Sequence, residues 1–297
     1  MNEEAIIERL REIFATSSAD VQVGIGDDAA IVRTRLHTAI TTDMAVEGNH
    51  FKVEWSSARE IGGRVAIANL ADIYAMGATP TFLVVAISLT GNESLHWIEE
   101  LAEGIAAEAR TAGAVVVGGD IVKGNQLTIS ITALGSVETA VTLDGASIGD
   151  GIYLSALPGY SRGGLEQLVR GVEYNRHAIS QYKKPSFDFE LARAFGSATS
   201  MRDISDAFLI QASSMTKKYG FAIEPELIEA AEGFGELDEL ARSLGFDVWE
   251  LILGGGEDHV LLATGKDLPG IRIGRVVEGQ GILGLEKKKA PETWRHF

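Results

Sequence analysis

Between residues 58 and 133 the apolar spacing switches repeatedly between a helical and a strand period, which restricts the chain to folds in which helices pack on a sheet. Residues 58–76 set Ile61, Val65 and Ile73 on one side and Asn69, Asp72 and Met76 on a second stripe, a helix that Gly77 stops and Pro80 seals. Residues 82–89 predict a buried strand. A second helix spans about 94–111, with Ile98, Leu101, Ala102, Ile105 and Ala109 inward and Gly113 as C-cap. Val115, Val116 and Val117 then lead into a Gly118-Gly119-Asp120 turn. Residues 127–133 alternate strictly, so one face is buried and a polar face needs water, a ligand or another subunit.

The flanks extend the pattern. Ile6, Ile7, Leu10, Ile13 and Phe14 predict an amphipathic helix over 3–14. A glycine-rich turn around Gly24-Ile25-Gly26 feeds the short strand at Ile31 and Val32, and residues 38–45 form a strand containing Thr41-Thr42-Asp43. After a linker at 145–150, residues 151–156 open a second unit with helices expected from the Ser161-Arg162-Gly163-Gly164 turn, over 186–195 with Ser186 as N-cap, over 205–219 with Gly220 as C-cap, and over 226–253. Residues 259–264 and 271–277 read as closing strands. Two α/β halves follow, 1–140 and 141–297.

Composition narrows the functions. Across 297 residues, 42 Asp and Glu stand against 26 Lys and Arg, a formal charge of −16, with no cysteine. That balance disfavours a nucleic-acid binder working by bulk phosphate attraction and a protein docked on anionic lipid. The missing cysteine removes disulfides, thiolate metal sites and Cys nucleophiles, and fits a reducing cytosol. The longest apolar run, 82–89, is too short to span a bilayer. Met1-Asn2-Glu3-Glu4 is the reverse of a secretory leader's basic start, and a cytoplasmic location is expected.

Several aspartates lie beside Gly, Ser, Thr or other small residues: Gly26-Asp27-Asp28, Thr41-Thr42-Asp43, Asn69-Leu70-Ala71-Asp72, Gly118-Gly119-Asp120 and Asp203-Ile204-Ser205-Asp206. One such residue closes an Asx-turn, but aspartates gathered in one place repel one another unless cations intervene. Mg²⁺ suits this set, since it takes oxygen ligands from a few carboxylates, waters and substrate phosphates, while small neighbours let backbone N–H groups approach a phosphate. The Walker loop, the Gly-x-Gly-x-x-Gly dinucleotide turn and the protein-kinase motifs are all absent.

Gly24-Ile25-Gly26-Asp27-Asp28-Ala29-Ala30, Thr41-Thr42-Asp43 with Glu47-Gly48-Asn49-His50-Phe51, the run from Ala66 to Gly77, Gly118-Gly119-Asp120, Asp203-Ile204-Ser205-Asp206 and Gly255-Gly256-Glu257-Asp258 occur in the order of the thiamine-monophosphate kinases. The chain resembles that family, within the aminoimidazole-ribonucleotide (AIR) synthetase superfamily, from about residue 20 to Trp294-Arg295-His296-Phe297. The resemblance implies an α/β (α+β) two-domain AIR-synthetase-like fold, with an N-terminal sheet domain at 1–140 that binds ATP and Mg²⁺ and dimerises, and a C-terminal α/β domain at 141–297. It implies transfer of the ATP γ-phosphoryl to thiamine monophosphate, with several Mg²⁺ and a homodimer. Asp28, Thr41, Thr42, Asp43, Asp72, Asp120, Asp203 and Asp206 match metal positions; Gly119, Asp120 and Ser205 match ATP contacts; His50, Glu257 and Trp294 match substrate contacts.

The chain departs from the family at three places: Ala207-Phe208 stands where Gly-Leu is usual, Thr142-Leu143-Asp144-Gly145 where an ATP-contacting arginine is usual, and Ile121-Val122-Lys123-Gly124 where Thr-Thr-Arg-Gly is usual. The alternatives are a purine-pathway ATP-dependent cyclo-ligase and a homologue that binds nucleotide or thiamine phosphate without catalysis. Selenophosphate synthetase and the hydrogenase-maturation dehydratase rely on a cysteine or selenocysteine, and this chain has no cysteine.

Overall fold

In the computed structural model, which describes residues 3–25 and 29–288, the chain divides into two units, Met1–Ile73 with Ala78–Thr139, and Tyr74–Gly77 with Ala140–Phe297. In order, the elements up to the end of the first unit are α1 (Glu3–Ile13), β1 (Val21–Val23), β2 (Ile31–Val32), β3 (His37–Val46), α2 (Ala58–Ala75), β4 (Thr79–Leu89), α3 (Leu95–Ala112), β5 (Val115–Lys123) and β6 (Thr128–Val137). Strands β3, β6, β4 and β5 form a sheet in that order, with β4–β5 as its parallel pair.

Helices α2 and α3 bury Ile61, Val65 and Ile73, and Ile98, Leu101 and Ile105, the stripes expected from their spacing, and α2 buries Leu70 as well. Ser94 accepts the Trp97 N–H at 3.1 Å to start α3, and Gly113, at φ +83°, ends it in the left-handed C-cap the sequence predicts. The two helices meet backbone to backbone: a Cβ on Gly62 would overlap the Leu101 carbonyl, and one on Gly104 the Arg59 carbonyl.

Two expectations change here. Gly118-Gly119-Asp120 is no turn, because β5 runs through it. Paired glycines suggested a bend, yet Gly119 has no side chain because the Val85 carbonyl of β4 occupies the space a Cβ would need. Strand β4 also begins at Thr79, with Pro80 inside it. Proline is tolerated there because Pro80 is matched with Gly135 of β6, whereas the register with β5 begins only at Phe82.

The second unit contains β7 (Gly151–Leu154), α4 (Tyr160–Arg170), α5 (Arg176–Lys183), α6 (Phe189–Ala194), β8 (Ser200–Ile204), α7 (Phe208–Met215), β9 (Gly220–Ile223), α8 (Pro225–Glu229), α9 (Phe234–Leu244), α10 (Val248–Gly254), β10 (Val260–Gly265), β11 (Ile271–Val277) and β12 (Ile282–Leu283). Its sheet has the order β12-β9-β11-β7-β10-β8, antiparallel except for β12–β9. Ile152, Leu154, Phe208, Phe221, Leu240, Leu251, Leu262 and Ile273 lie in its buried core.

Its helices are shorter than the sequence implies. The stretch expected as one helix over 226–253 is α8, α9 and α10, broken where Gly233 and Gly245 adopt left-handed φ of +85° and +79°. Helix α6 is capped by Asp188, whose carboxylate accepts the Leu191 N–H at 2.9 Å, and not by Ser186. The 205–219 helix is only α7, and Gly220 opens β9 instead of capping it. The switch back to strand period at 220–223 was hidden by the apolar stripe that precedes it.

Replacing Gly104 with alanine should force α2 and α3 apart and cost about 1–3 kcal/mol, read as a lowered thermal midpoint, whereas alanine at Gly196, where a Cβ would meet nothing, should leave the midpoint near wild type.

Candidate active site

In the first unit the strand pleat sorts the predicted ligands. Thr41 and Asp43 face α2: Thr41 Oγ1 donates to Asp72 Oδ2 at 2.7 Å, and the Asp43 N–H donates to Asn69 Oδ1 at 3.0 Å. Asn69 is fully buried and its own Nδ2 donates to the Val65 carbonyl at 2.9 Å, so the amide is held from both ends. Thr42 turns to the opposite face, where Thr132 Oγ1 donates to its hydroxyl at 3.1 Å. Asp120 belongs to that face too, in register with Ala86, Ser130 and Met44 across the sheet. The structure therefore brings Thr41, Asp43 and Asp72 together and places Thr42 and Asp120 across the sheet from them.

The same outer face carries Ile40, Met44 and Val122, which are 67%, 57% and 51% exposed. His50 lies in the turn after β3, whose Gly48 takes φ +86°. The Val46 N–H donates to His50 Nδ1 at 3.1 Å; for that nitrogen to accept, the ring proton must lie on Nε2. A separate cavity in this unit, lined in part by Asp20, Arg33, Arg35 and Ser136, includes none of the predicted site residues.

In the second unit the Gly255-Gly256-Glu257-Asp258 motif runs along the end of β8. The Glu257 N–H donates to the Ser205 carbonyl at 2.7 Å and the His259 N–H to the Ile204 carbonyl at 3.0 Å. Glu257 and His259 adopt φ of +63° and +50°, left-handed positions that cost non-glycine residues of order 1–3 kcal/mol and mark strained, often functional, segments. Asp203 and His259 are 4% and 5% exposed. His259 Nδ1–H donates to Asp203 Oδ2 at 2.9 Å, and Nε2 lies 3.9 Å from Glu257 Oε2. Burial lowers the His259 pKa and the two carboxylates raise it, with the net result well above the usual histidine value.

Asp258 does different work. Its two oxygens accept the N–H groups of Gly159 at 2.8 Å and Ser161 at 3.0 Å, a cap supplied from a distant segment to α4, whose own N-cap Gly159 has no side chain to offer. Burial pushes its pKa up to about 6, although the two N–H groups pull the other way. The sequence marked Asp258 only as the end of a motif and did not single out His259; the sole signal was their position after a glycine run.

Ser205 does not cap a helix. Helix α7 starts at Phe208 with Ala207 as N-cap and no side-chain bond, while the Ser205 hydroxyl accepts from Gln211 Nε2 at 3.5 Å. Asp206 lies beside it, between β8 and α7. Ala207 has φ −57° and ψ 140°, a conformation open to any residue, so the family's usual glycine is not required there. Asp28 and Trp294 lie outside the described residues.

Among the described residues, no three His, Asp or Glu side chains gather to hold a metal on their own. The donors present are still hard oxygens, and Asp203 Oδ1 is buried without a hydrogen-bond partner among them. Such a set fits a cation that draws its remaining ligands from water and substrate phosphates.

A sheet unit followed by a mixed α/β unit is the architecture of the AIR-synthase class, and the family model for AIR synthase related protein, N-terminal domain, matches residues 26–137. The thiamine-monophosphate kinase of Corynebacterium glutamicum is 33% identical over 296 residues, covering 92% of this chain and 88% of that protein. The crystal structure of thiamine-monophosphate kinase from Stenotrophomonas maltophilia K279a superposes with a TM-score of 0.82 at 29% identity, covering 95% of this chain and 96% of that one. AaThiL complexed with AMPPCP and TMP gives a TM-score of 0.81 at 28% identity, covering 99% and 97%. The chain belongs to the thiamine-monophosphate kinase family, and the expected AIR-synthetase-like fold is borne out.

Because the folded pKa of Asp258, about 6, exceeds its ordinary value of 3.8, its contribution to stability is complete below about 3.8 and is lost as pH rises through about 6. Asp258→Asn should abolish that part of the pH dependence, and at pH 7 should cost about 1–3 kcal/mol because one of two buried N–H groups loses its acceptor. Denaturant unfolding at stepped pH measures both effects.

Proposed function

We propose that the chain is an ATP-dependent thiamine-phosphate kinase, a phosphotransferase that makes thiamine diphosphate and ADP from thiamine monophosphate and ATP. The observation that carries this reading is near full-length similarity to kinases of that name, together with the match over 99% of the chain to a structure complexed with AMPPCP and TMP.

The chemistry agrees with the residues. A terminal phosphate oxygen of thiamine monophosphate attacks the γ-phosphorus of ATP, the bond from that phosphorus to the β–γ bridging oxygen breaks, and ADP leaves with the electron pair. A phosphate monoester loses its second proton near pH 6, so the nucleophile is already anionic at neutral pH and no general base is needed. Catalysis then rests on positioning and charge neutralisation, in keeping with a site rich in carboxylates.

In this reading Gly119, Asp120 and Ser205 contact ATP, and His50, Glu257 and Trp294 contact thiamine monophosphate. More than one Mg²⁺ would be held by Asp28, Thr41, Thr42, Asp43, Asp72, Asp120, Asp203 and Asp206, with Thr41, Asp43 and Asp72 on one face of the first unit's sheet and Thr42 and Asp120 on the other. When bound, it supplies positive charge against the two phosphate chains, which a chain of net charge −16 lacks. Thr41, paired with Asp72, and Asn69, holding the Asp43 backbone, keep those carboxylates oriented. Residues 1–140 would form the ATP- and Mg-binding, dimerising domain and 141–297 the second domain. The exposed face carrying Ile40, Met44 and Val122 suits pairing with a second copy of the chain. Among the described residues no helix is long and apolar enough to cross a membrane, and a cytoplasmic enzyme is the reading favoured.

Incubation with Mg–ATP and thiamine monophosphate should yield thiamine diphosphate and ADP in equal amounts, and chelation of Mg²⁺ should stop it. Binding of both ligands without product would instead identify a non-catalytic homologue. Asp120→Asn should lower turnover on the order of 100-fold with the thermal midpoint unchanged; full activity would remove Asp120 from the site.

A further inference from the structure

The second unit contains an acid–histidine–acid series, Asp203, His259 and Glu257, whose buried histidine has no role in the reaction above. Asp203 is closed off from solvent, its Oδ2 is taken by His259 Nδ1–H at 2.9 Å, and its Oδ1 accepts no hydrogen bond among the described residues. A buried carboxylate oxygen without a donor is costly unless a ligand completes it. On the other edge of the imidazole, Nε2 lies 3.9 Å from Glu257 Oε2, within ion-pair range, and makes no hydrogen bond among the described residues. The N–H groups of Glu257 and His259 are tied to the carbonyls of Ser205 and Ile204, so the backbone that carries both side chains is held against the end of β8.

We propose that His259 is a positioning residue that fixes Asp203 by the hydrogen bond from Nδ1 and draws Glu257 by charge toward Nε2, aiming Asp203 Oδ1 at the Mg–nucleotide and Glu257 at thiamine monophosphate. This rests on the kinase reading for the identity of the two ligands. The imidazole is suited to the task because its two nitrogens address different acids from one rigid ring, and Asp203 makes no ion pair with Lys or Arg among the described residues. One side chain thereby sets the geometry of a nucleotide ligand and a substrate ligand together.

Asparagine and glutamine separate the two edges. The Asn amide nitrogen sits where Nδ1 does and tolerates a left-handed φ, whereas the Gln amide reaches the place of Nε2. His259→Asn should keep the calorimetric affinity for Mg–AMPPCP within about threefold while raising the KM for thiamine monophosphate about 10–100-fold, and His259→Gln should weaken Mg–AMPPCP by the same factor with a smaller rise in KM. Equal changes in the two quantities for both variants, or none, would overturn the assignment.

Should His259→Gln fail to fold, His259→Gly relieves the left-handed backbone and leaves room for free imidazole. Restoration of Mg–AMPPCP affinity by added imidazole is the expected result, and its absence at full occupancy of the folded state would also overturn the proposal. The nucleotide measurements do not depend on turnover. If the wild-type protein binds Mg–AMPPCP but forms no thiamine diphosphate, the kinase reading fails, while the Mg–AMPPCP affinities of the Asn, Gln and Gly variants still decide whether His259 positions Asp203.

Discussion

A carboxylate taken out of water must regain from the protein, or from a cation, the hydration it gives up, and much of this chain is arranged around that requirement. Asp258 regains it from two backbone N–H groups at the start of α4. Asp150, also buried, accepts from the Ser147 N–H at 2.9 Å and the Thr199 hydroxyl at 2.7 Å. Asp203 is compensated on one oxygen by His259 and left open on the other. The first two are structural, since Asp258 has an N–H group on each oxygen and Asp150 closes its own turn and holds Thr199 through Oδ2; the third is incomplete in a way that suits a ligand.

Backbone proximity is the complementary constraint in the first unit. Gly119 lets β4 and β5 run side by side immediately before Asp120, and Gly62 with Gly104 lets α2 sit close to α3. The position of α2 in turn decides that Asp72 meets Thr41 and that Asn69 meets the Asp43 N–H. The site in this unit is thus a consequence of helix packing: carboxylates on a strand and a helix come together because small residues allow the elements carrying them to approach.

Much of this was legible in the residues. The helices at 58–75 and 95–112 and the strand at 128–137 follow from apolar period, with Gly113 marking a helix end. Other signals misled for physical reasons. Gly118-Gly119 looks like a turn because glycine serves both to bend a chain and to admit a neighbouring backbone, and sequence does not distinguish the two. Residues 226–253 look like one helix because their apolar spacing outweighs two isolated glycines, although each of those takes the positive φ that ends or begins a helix. Ser205 looked like a cap because it precedes a helical stripe, but its carbonyl is already committed to Glu257.

The sequence by itself determined the class of elements, the division of motifs along the chain, the absence of thiol chemistry and the aspartate set that points to phosphate handling, because these depend on residue type and local period. Only the tertiary structure decided that Thr42 and Asp120 occupy the sheet face opposite Thr41 and Asp43, that Asp258 caps α4 from 97 residues away, and that His259 bridges toward Asp203 and Glu257. Strand sidedness depends on register and bulges, and long-range hydrogen bonds depend on which backbone groups folding leaves unsatisfied; neither is written in the spacing of residues along the chain.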